Sequence, residues 1–274
     1  MPVPLHTTGK ASFDDIYHRP DPREYYARMR ELNYRIPELA KPFFQQQIKE
    51  LRAAGVEHPT VLDIGCSYGV NAALLRFDTT MSELADHYGD SADADRHTLV
   101  ARDQARLADC EGLPGVRLVG MDVSHDAVSY AHAAGLLHDI VHADLEAAEP
   151  TEAQRRTLAS VDLVISTGCI GYVTEKTLGR LVAANPDRRP WMAHFVLRMF
   201  GFDDIAAQLA ELGYRTVRAP GLFEQRRFAS DAERTQVLNT LAANGIDATG
   251  CETDGWLYAN LYLSRPIDDH EAEQ

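Results

Sequence analysis

The sequence predicts an α/β fold in which helices cover both faces of a doubly wound, mostly parallel sheet. The first observation is the stretch Thr60-Val-Leu-Asp-Ile-Gly-Cys-Ser-Tyr-Gly69, a short apolar strand and a glycine turn, followed at once by an Ala- and Leu-rich helix start. The second is Val161–Ser166, whose apolar run suits a central parallel strand that is covered on both faces. The third is the alternation of predicted strands and helices along most of the chain.

Two helices are predicted ahead of the first strand. They cover about 21–32 and 37–54, and Pro37 can occupy the first turn of the second. Tyr34 and Arg35 lie in the break between them. Two interpretations of Tyr34 stay open: a lid residue over a site at the first strand, or an aromatic side chain that packs within a helical cap.

The second predicted strand, Val116–Asp122, ends in a carboxylate. An acid at this place in a dinucleotide fold binds ribose hydroxyls, usually about 20 residues beyond the glycines. Asp122 comes much later than that, so we expect an insertion at about 77–115, with helical pieces around 81–88 and 98–107.

The rest of the chain continues the alternation. Further strands are predicted at 139–145, 161–166, 191–198, 214–218 and 256–263, with helices at 124–134, 175–183, 203–213 and 231–243. The predicted division is a helical amino-terminal cap over 1–56 and a Rossmann-like domain over 57–274 that contains the insertion.

Composition limits the function classes. The chain has 274 residues, 45% of them hydrophobic, and a formal net charge of −14, which disfavours a nucleic-acid partner and favours a small molecule. The four cysteines (Cys66, Cys110, Cys169 and Cys251) lack metal-ligand spacing, which predicts a reducing, cytoplasmic compartment and no metal site. Neither a signal peptide nor a membrane span is expected. The oligomeric state stays open, with a homodimer among the alternatives.

The glycine turn after the first strand predicts a ligand site. Unpaired N–H groups at the following helix start carry partial positive charge, and Gly65 and Gly69 leave room for close approach. Asp63, at the end of the strand, would repel a pyrophosphate and attract the ammonium of an amino-acid-bearing nucleoside. This favours S-adenosylmethionine (SAM) over NAD or ATP.

With these residues placed, the sequence resembles the class I (Rossmann-like) SAM-dependent methyltransferases over about 60–266. The resemblance rests on four segments: the glycine-rich motif 61–69, Asp122, His142-Ala-Asp144-Leu145, and the central strand 161–166. It implies a seven-stranded sheet with an antiparallel last strand. It also implies SAM as cofactor and in-line methyl transfer to a small-molecule acceptor.

The resemblance also implies roles for particular residues. Those predicted to bind the cofactor are Asp63, Gly65, Cys66, Ser67 and Gly69 on the methionine side, Asp122 and Val123 at the ribose, Asp144 and Leu145 at the adenine, and Ser166 at the end of the fourth strand. The chain departs from the family at Ser67, where a middle glycine is common. It also lacks the Asn/Asp-Pro-Pro-Tyr/Phe motif of amine methylators, which disfavours nucleobase or amide N-methylation and leaves oxygen, carbon, sulfur and unusual amine acceptors open.

Candidates for catalysis and substrate binding come from aromatic and charged residues near the predicted site. Tyr172, in the loop after the fourth strand, is a candidate for both roles, because its ring can attract the sulfonium cation. His194 is either a general base or a buried core histidine. Tyr34, Tyr68 and Arg226 are candidate substrate-binding residues, although the segment around Arg226, Phe223–Phe228, also reads as a solvated charged loop.

Several other functions compete. The segment Gly65-Cys-Ser67-Tyr-Gly69 fits the nucleophile turn of an α/β-hydrolase, with Asp162 and either His194 or His270 completing a triad. A dinucleotide oxidoreductase is disfavoured by the glycine spacing. A SAM-binding protein without catalysis is a further alternative. So is an enzyme that transfers or cyclises the aminocarboxypropyl group of SAM and releases methylthioadenosine.

Overall fold

The computed structural model describes residue 9 and residues 13–91, 93–110 and 112–267. The described helices are α1 (Asp14–Tyr17), α2 (Arg23–Glu31), α3 (Ile36–Ala53), α4 (Val70–Phe77), α5 (Met81–Gly89), α6 (Arg96–Ala108), α7 (His125–Ala133), α8 (Glu152–Leu158), α9 (Glu175–Ala184), α10 (Asp203–Glu211) and α11 (Asp231–Ala243). The strands are β1 (Thr60–Ile64), β2 (Arg117–Asp122), β3 (Asp139–His142), β4 (Leu163–Thr167), β5 (Trp191–Leu197), β6 (Tyr214–Arg218), β7 (Phe223–Arg227) and β8 (Trp256–Pro266).

Seven strands lie side by side in the order β3-β2-β1-β4-β5-β8-β6, and an eighth, β7, joins the same sheet by pairing with β8. Neighbouring strands among β1 to β5 are parallel, whereas β8 is antiparallel to both β5 and β6. The strand order reverses beside β1, because β2 lies on one side of it and β4 on the other. The predicted doubly wound sheet with an antiparallel last strand is therefore confirmed, and the point of reversal is where such sheets bind ligands.

The strand β7 is the departure from the predicted sheet. It pairs with the amino-terminal half of β8, on the edge whose other half pairs with β6, and a register shift separates Glu224 from Arg226. The interpretation of Phe223–Phe228 as a solvated charged loop is wrong. Residues 223–227 are a strand, and Gln225 and Arg226 are buried.

Buried side chains cover both faces of the sheet. On one face, residues of α2, α3, α4, α5 and α7 share a cluster with Val61, Leu163, Ile165 and Phe195. On the other face, α8, α9 and α10 cover Leu62, Val119, Val164 and Met192. Side chains alternate along each strand, so neighbouring residues point into different clusters.

The amino-terminal helices and the predicted insertion both pack on the first of these faces. The ring of Phe44 in α3 meets the ring of Phe195 in β5 edge to face, with centroids 5.8 Å apart. In the insertion, the ring of Tyr88 stacks on Tyr26 of α2 with centroids 4.8 Å apart. Asp103 of α6 is fully buried and accepts hydrogen bonds from the Tyr88 hydroxyl at 2.9 Å, from His87 Nε2 and from Tyr130.

Candidate functional site

The turn between β1 and α4 depends on left-handed backbone conformations. Gly65 has φ of 67° and Gly69 has φ of 75°, a region that side chains disfavour. A Cβ atom at Gly65 would lie 2.7 Å from the Cβ atom of Cys169. The sequence therefore places glycine where neither the backbone nor the neighbouring loop tolerates a side chain.

Ser67 adopts the same left-handed conformation, with φ of 52°. This explains how a serine can stand where a glycine is common, since the turn keeps a glycine-like path at a modest conformational cost. Its backbone N–H donates to Asp122 Oδ2 at 2.8 Å, and the N–H of Ser124 donates to Asp122 Oδ1 at 2.9 Å. The Asp122 carboxylate is thereby fixed across the end of β2.

Asp63 is buried beneath this turn, with 4% of its surface exposed. The Asn71 side chain at the start of α4 donates Nδ2 to both carboxylate oxygens, at 3.0 and 3.1 Å. Burial raises the pKa of Asp63 to about 8, and the Asn71 hydrogen bond opposes that rise. Asn71 lines the cavity described next and Asp63 does not, so the amide lies between the carboxylate and the cavity.

A cavity of about 480 Å³ opens at the carboxyl ends of β1, β2 and β4 and beside the loop after β3. Its lining includes ten of the predicted site residues: Gly65, Cys66, Ser67, Asp122, Val123, Asp144, Leu145, Tyr34, Tyr172 and Arg226. Parallel strands place their carboxyl ends at one edge, so loops distant in sequence converge there. The size is within the usual range of small-molecule sites.

Tyr34 lines this cavity from the loop between α2 and α3. Its hydroxyl donates to the backbone carbonyl of Thr167, at the end of β4, at 3.0 Å. The loop is also fixed to β7, since Arg35 N donates to Gln225 O at 2.8 Å and Arg227 N donates to Leu32 O at 2.7 Å. The amino-terminal helices are thus fastened to the sheet on one side of the cavity.

Five predicted site residues do not line the cavity: Asp63, Gly69, Ser166, Tyr68 and His194. Ser166 and His194 are fully buried on the face of the sheet that α8, α9 and α10 cover, and Ser166 Oγ lies 2.8 Å from His194 Nδ1. Burial lowers the pKa of His194 to about 3. His194 is therefore the core histidine of the two interpretations, and Thr167, one residue beyond Ser166, is the β4 residue at the cavity.

Tyr68 hydrogen-bonds to residues 16–19, the segment that we call the roof of the cavity. Its hydroxyl lies 2.9 Å from the carbonyl oxygens of both Ile16 and Arg19. The Ser124 hydroxyl donates to the intervening carbonyl of Tyr17 at 2.5 Å. These contacts fix the segment at 16–19, which includes the end of α1, over the β1–α4 corner.

Arg226 enters the cavity lining from β7 with its charge already paired. It is 2% exposed, and its two terminal nitrogens donate to the two carboxylate oxygens of Glu233 at 2.8 and 2.6 Å. Glu233 is itself fully buried. Arg226 was predicted to bind a substrate carboxylate, but its guanidinium already binds the carboxylate of Glu233.

The cavity also contains residues that the sequence analysis did not select. The main ones are Phe13, Tyr17, His18 and Tyr25 in or near α1 and α2, Asn71 in α4, and Glu146 after β3. Helical spacing around Tyr25 indicated only a packed helix, and α1 is too short to give a periodic signal. The aromatic residues Phe13 and Tyr17 were the one feature of this segment that could have indicated a place in the site.

The triad of the hydrolase alternative is not assembled. Asp162 precedes β4, where it accepts a hydrogen bond from Thr60 N at 2.8 Å, so it lies at the sheet edge opposite Ser67. His194 is held by Ser166, and His270 lies outside the described residues. Neither Asp162 nor His194, the two proposed partners within the described residues, can therefore activate Ser67.

A second depression of about 530 Å³ lies on another part of the molecule. It is lined by the segment between β6 and β7 together with Arg198, Ile246 and Asn260. None of the predicted site residues lines it. In the part of the chain that the structure describes, no cluster of three or more His, Cys, Asp or Glu side chains is arranged to hold a metal ion. Nor does any described helix combine the length and apolarity that crossing a bilayer requires.

Comparison with known proteins gives structural likenesses only. No family model matches the chain, and no curated protein matches it. A SAM-dependent methyltransferase from Aquifex aeolicus is 14% identical, with 93% of this chain and 99% of that chain covered and a TM-score of 0.38. A TehB-like SAM-dependent methyltransferase from Corynebacterium glutamicum is 14% identical, with 82% and 98% covered and a TM-score of 0.36.

Magnesium protoporphyrin IX methyltransferase from Synechocystis PCC 6803, a structure with bound SAM, is 16% identical, with 81% of this chain and 79% of that chain covered and a TM-score of 0.36. All three of these structures are described as methyltransferases, the family that the sequence resembles. Identities and TM-scores this low carry no argument about the cofactor, acceptor or catalytic residues of this chain.

Proposed function

We propose that the protein is a SAM-dependent methyltransferase that acts on a small-molecule acceptor. The observation that carries the proposal is the Asp122 carboxylate, fixed by two backbone N–H groups at the edge of a cavity beside a glycine turn. A carboxylate in this position accepts hydrogen bonds from ribose hydroxyls. The resemblance of the same segments to the class I methyltransferases supports the choice of SAM among nucleosides.

The cavity fits such a ligand in the chemistry of its lining. Cys66 and Ser67, which have small side chains, line the cavity on the turn, and Asp122 would supply the ribose contact. Leu145 supplies an apolar wall and the neighbouring Asp144 a carboxylate for the adenine side. When bound, SAM supplies a methyl group that is activated by a sulfonium.

The chain's own contribution is positioning. Phe13, Tyr17, His18 and Tyr34 line the cavity from the amino-terminal segment, where they can align an acceptor with the cofactor. His18 lines the cavity in the segment that Tyr68 and Ser124 fix, so its imidazole can take a proton from an acceptor that must lose one. His18 thus takes the general-base role that was one of the two interpretations of His194.

The proposal is tested by identifying the nucleoside product. Incubation with SAM and candidate acceptors should give S-adenosylhomocysteine by mass spectrometry. Methylthioadenosine instead would establish the aminocarboxypropyl alternative.

A binding experiment tests the site itself. We expect S-adenosylhomocysteine to bind the unmodified chain and Asp122→Ala to weaken that binding by at least about tenfold, since hydrogen bonds to a charged group contribute about 1.5–3 kcal/mol. The matched control is Asp126→Ala, an exposed carboxylate on α7. Equal effects of the two substitutions would contradict the assignment.

A further inference from the structure

The charges that line the cavity are unbalanced. Asp122, Asp144 and Glu146 contribute carboxylates, and Arg226 is the one Arg or Lys among the described lining residues. Its guanidinium is neutralised by the bidentate contact with Glu233. Asp122 and Asp144 are assigned above to the nucleoside, so an anionic acceptor would meet the Glu146 carboxylate and no free guanidinium, whereas a cationic acceptor would be attracted.

Glu146 keeps its negative charge because the loop before α9 holds it. Its carboxylate accepts hydrogen bonds from Thr174 N and Thr174 Oγ1, each at 2.8 Å, and from Thr177 Oγ1 at 2.6 Å. Burial alone would raise the pKa of Glu146, but these hydrogen bonds outweigh it and hold the pKa below its ordinary value. The carboxylate is thus ionised at neutral pH.

Tyrosines from four different elements converge on the same cavity: Tyr17 from α1, Tyr25 from α2, Tyr34 from the α2–α3 loop, and Tyr172 from the loop after β4. The rings of Tyr17 and Tyr25 lie with centroids 5.9 Å apart. Burial raises the pKa of Tyr17, and Tyr34, Asp122 and Tyr172 lie close enough to raise it further. Burial likewise raises the pKa values of Tyr25 and Tyr34, so these three phenols are neutral and can offer electron-rich rings.

From this juxtaposition we propose that the cavity binds an ammonium group of the acceptor beside the nucleoside, so that the acceptor is an amine. The ammonium must give a proton to a base, for which His18 is in the lining, before its nitrogen can accept a methyl group. Aromatic rings together with a carboxylate recognise organic cations, and Phe13 adds a further ring to the same lining. The inference rests on the proposed function and names the acceptor class for that same site.

The test compares three probes of nearly equal shape that differ in charge. Choline carries a trimethylammonium, 3,3-dimethylbutan-1-ol is its neutral carbon isostere, and 3,3-dimethylbutanoate carries a carboxylate. Calorimetric titration first establishes binding of S-adenosylhomocysteine to the full chain, then measures each probe on the nucleoside-saturated protein. We expect choline to bind with an affinity at least about tenfold higher than that of the neutral probe. The carboxylate probe should have the lowest affinity of the three.

Variants at Tyr172 separate a ring effect from a folding effect. Tyr172→Phe should keep the preference for choline, and Tyr172→Leu should lose most of it. The control Tyr258→Leu, outside the cavity lining, should leave the preference unchanged.

The outcomes are distinguishable. Failure of S-adenosylhomocysteine to bind would remove the proposed function itself. If the nucleoside binds but choline does not bind at millimolar concentration, or binds no better than the neutral or anionic probe, the amine assignment is overturned while the proposed function stands.

Discussion

Asn71 Nδ2 lies 3.0 and 3.1 Å from the two carboxylate oxygens of Asp63 and 3.2 Å from Thr167 Oγ1. Three acceptors around one amide nitrogen fix the orientation of the Asn71 side chain. Asp63 therefore lies behind Asn71, and the group that faces the cavity at this point is the Asn71 amide.

The first prediction concerns the pH dependence of stability at Asp63. Because the folded pKa, about 8, is above the unfolded value of about 3.9, the folded state binds more protons between them, and this carboxyl lowers stability as pH rises. Without ligand, Asp63→Asn should gain free energy of unfolding relative to the unmodified chain from pH 5 to pH 8, by at most ~1.4 kcal/mol per pH unit. Urea denaturation measures the difference. Asp126→Asn is the exposed control, and parallel pH profiles for Asp63→Asn and the unmodified chain would contradict the prediction.

His194 should show the opposite sign. Its folded pKa, about 3, is below the unfolded value of about 6.5, so the folded state binds fewer protons and loses stability as pH falls through this interval. His194→Gln removes the titration, and its free energy of unfolding should decrease less between pH 7 and pH 5. Exposed His125→Gln should behave like the unmodified chain. An equal acid sensitivity of His194→Gln would show that His194 does not stay neutral when folded.

The Arg226–Glu233 pair predicts strong non-additivity. Arg226→Met leaves the buried Glu233 carboxylate without its partner and should cost about 3–5 kcal/mol in free energy of unfolding. Arg226→Met with Glu233→Leu should recover most of that loss, because two apolar side chains can replace a buried ion pair. Exposed Arg234→Met is the single-charge control. Additive losses in the double variant would argue against a coupled pair.

Tyr68→Phe tests the fastening of the roof. Loss of the hydroxyl removes the contacts to the carbonyls of Ile16 and Arg19, which should cost about 1 kcal/mol and speed amide hydrogen exchange at 13–19. S-adenosylhomocysteine should also bind more weakly. The control is Tyr214→Phe, since the buried Tyr214 hydroxyl has no hydrogen-bond partner among the described residues. Unchanged exchange at 13–19 in Tyr68→Phe would mean that the roof is held by other contacts.

Most of the sheet was predictable because its strands carry strong local signals. The apolar run before Asp63 and the one over 161–166 match β1 and β4 to within two residues at each end. Helix α8 was missed, although Thr151 and Gln154 form a capping box that is readable as Thr-x-x-Gln. That signal was available, but the helix it begins has only 7 residues and little periodicity.

The candidate site was predictable mainly where its residues end a strand or directly follow one. Gly65 to Ser67 follow from the strand–turn–helix pattern and Asp122 from the end of the second strand, and they line the cavity. The side chain of Arg226 could not be placed, because its environment depends on pairing of β7 with β8 and on Glu233 in α11. Successive side chains of a strand point to opposite faces of the sheet, so Thr167 lines the cavity and the preceding Ser166 does not.

The backbone hydrogen bonds that join the α2–α3 loop to β7 have a consequence for solubility. β7 has β8 on one side, and an open strand edge on the other would be a template for pairing with a second chain. Arg35 N and Leu32 O occupy backbone groups on that edge, so the chain shields its own strand from intermolecular association. Removing the first 56 residues would therefore uncover this strand edge as well as the cavity, and we expect the shortened chain to aggregate.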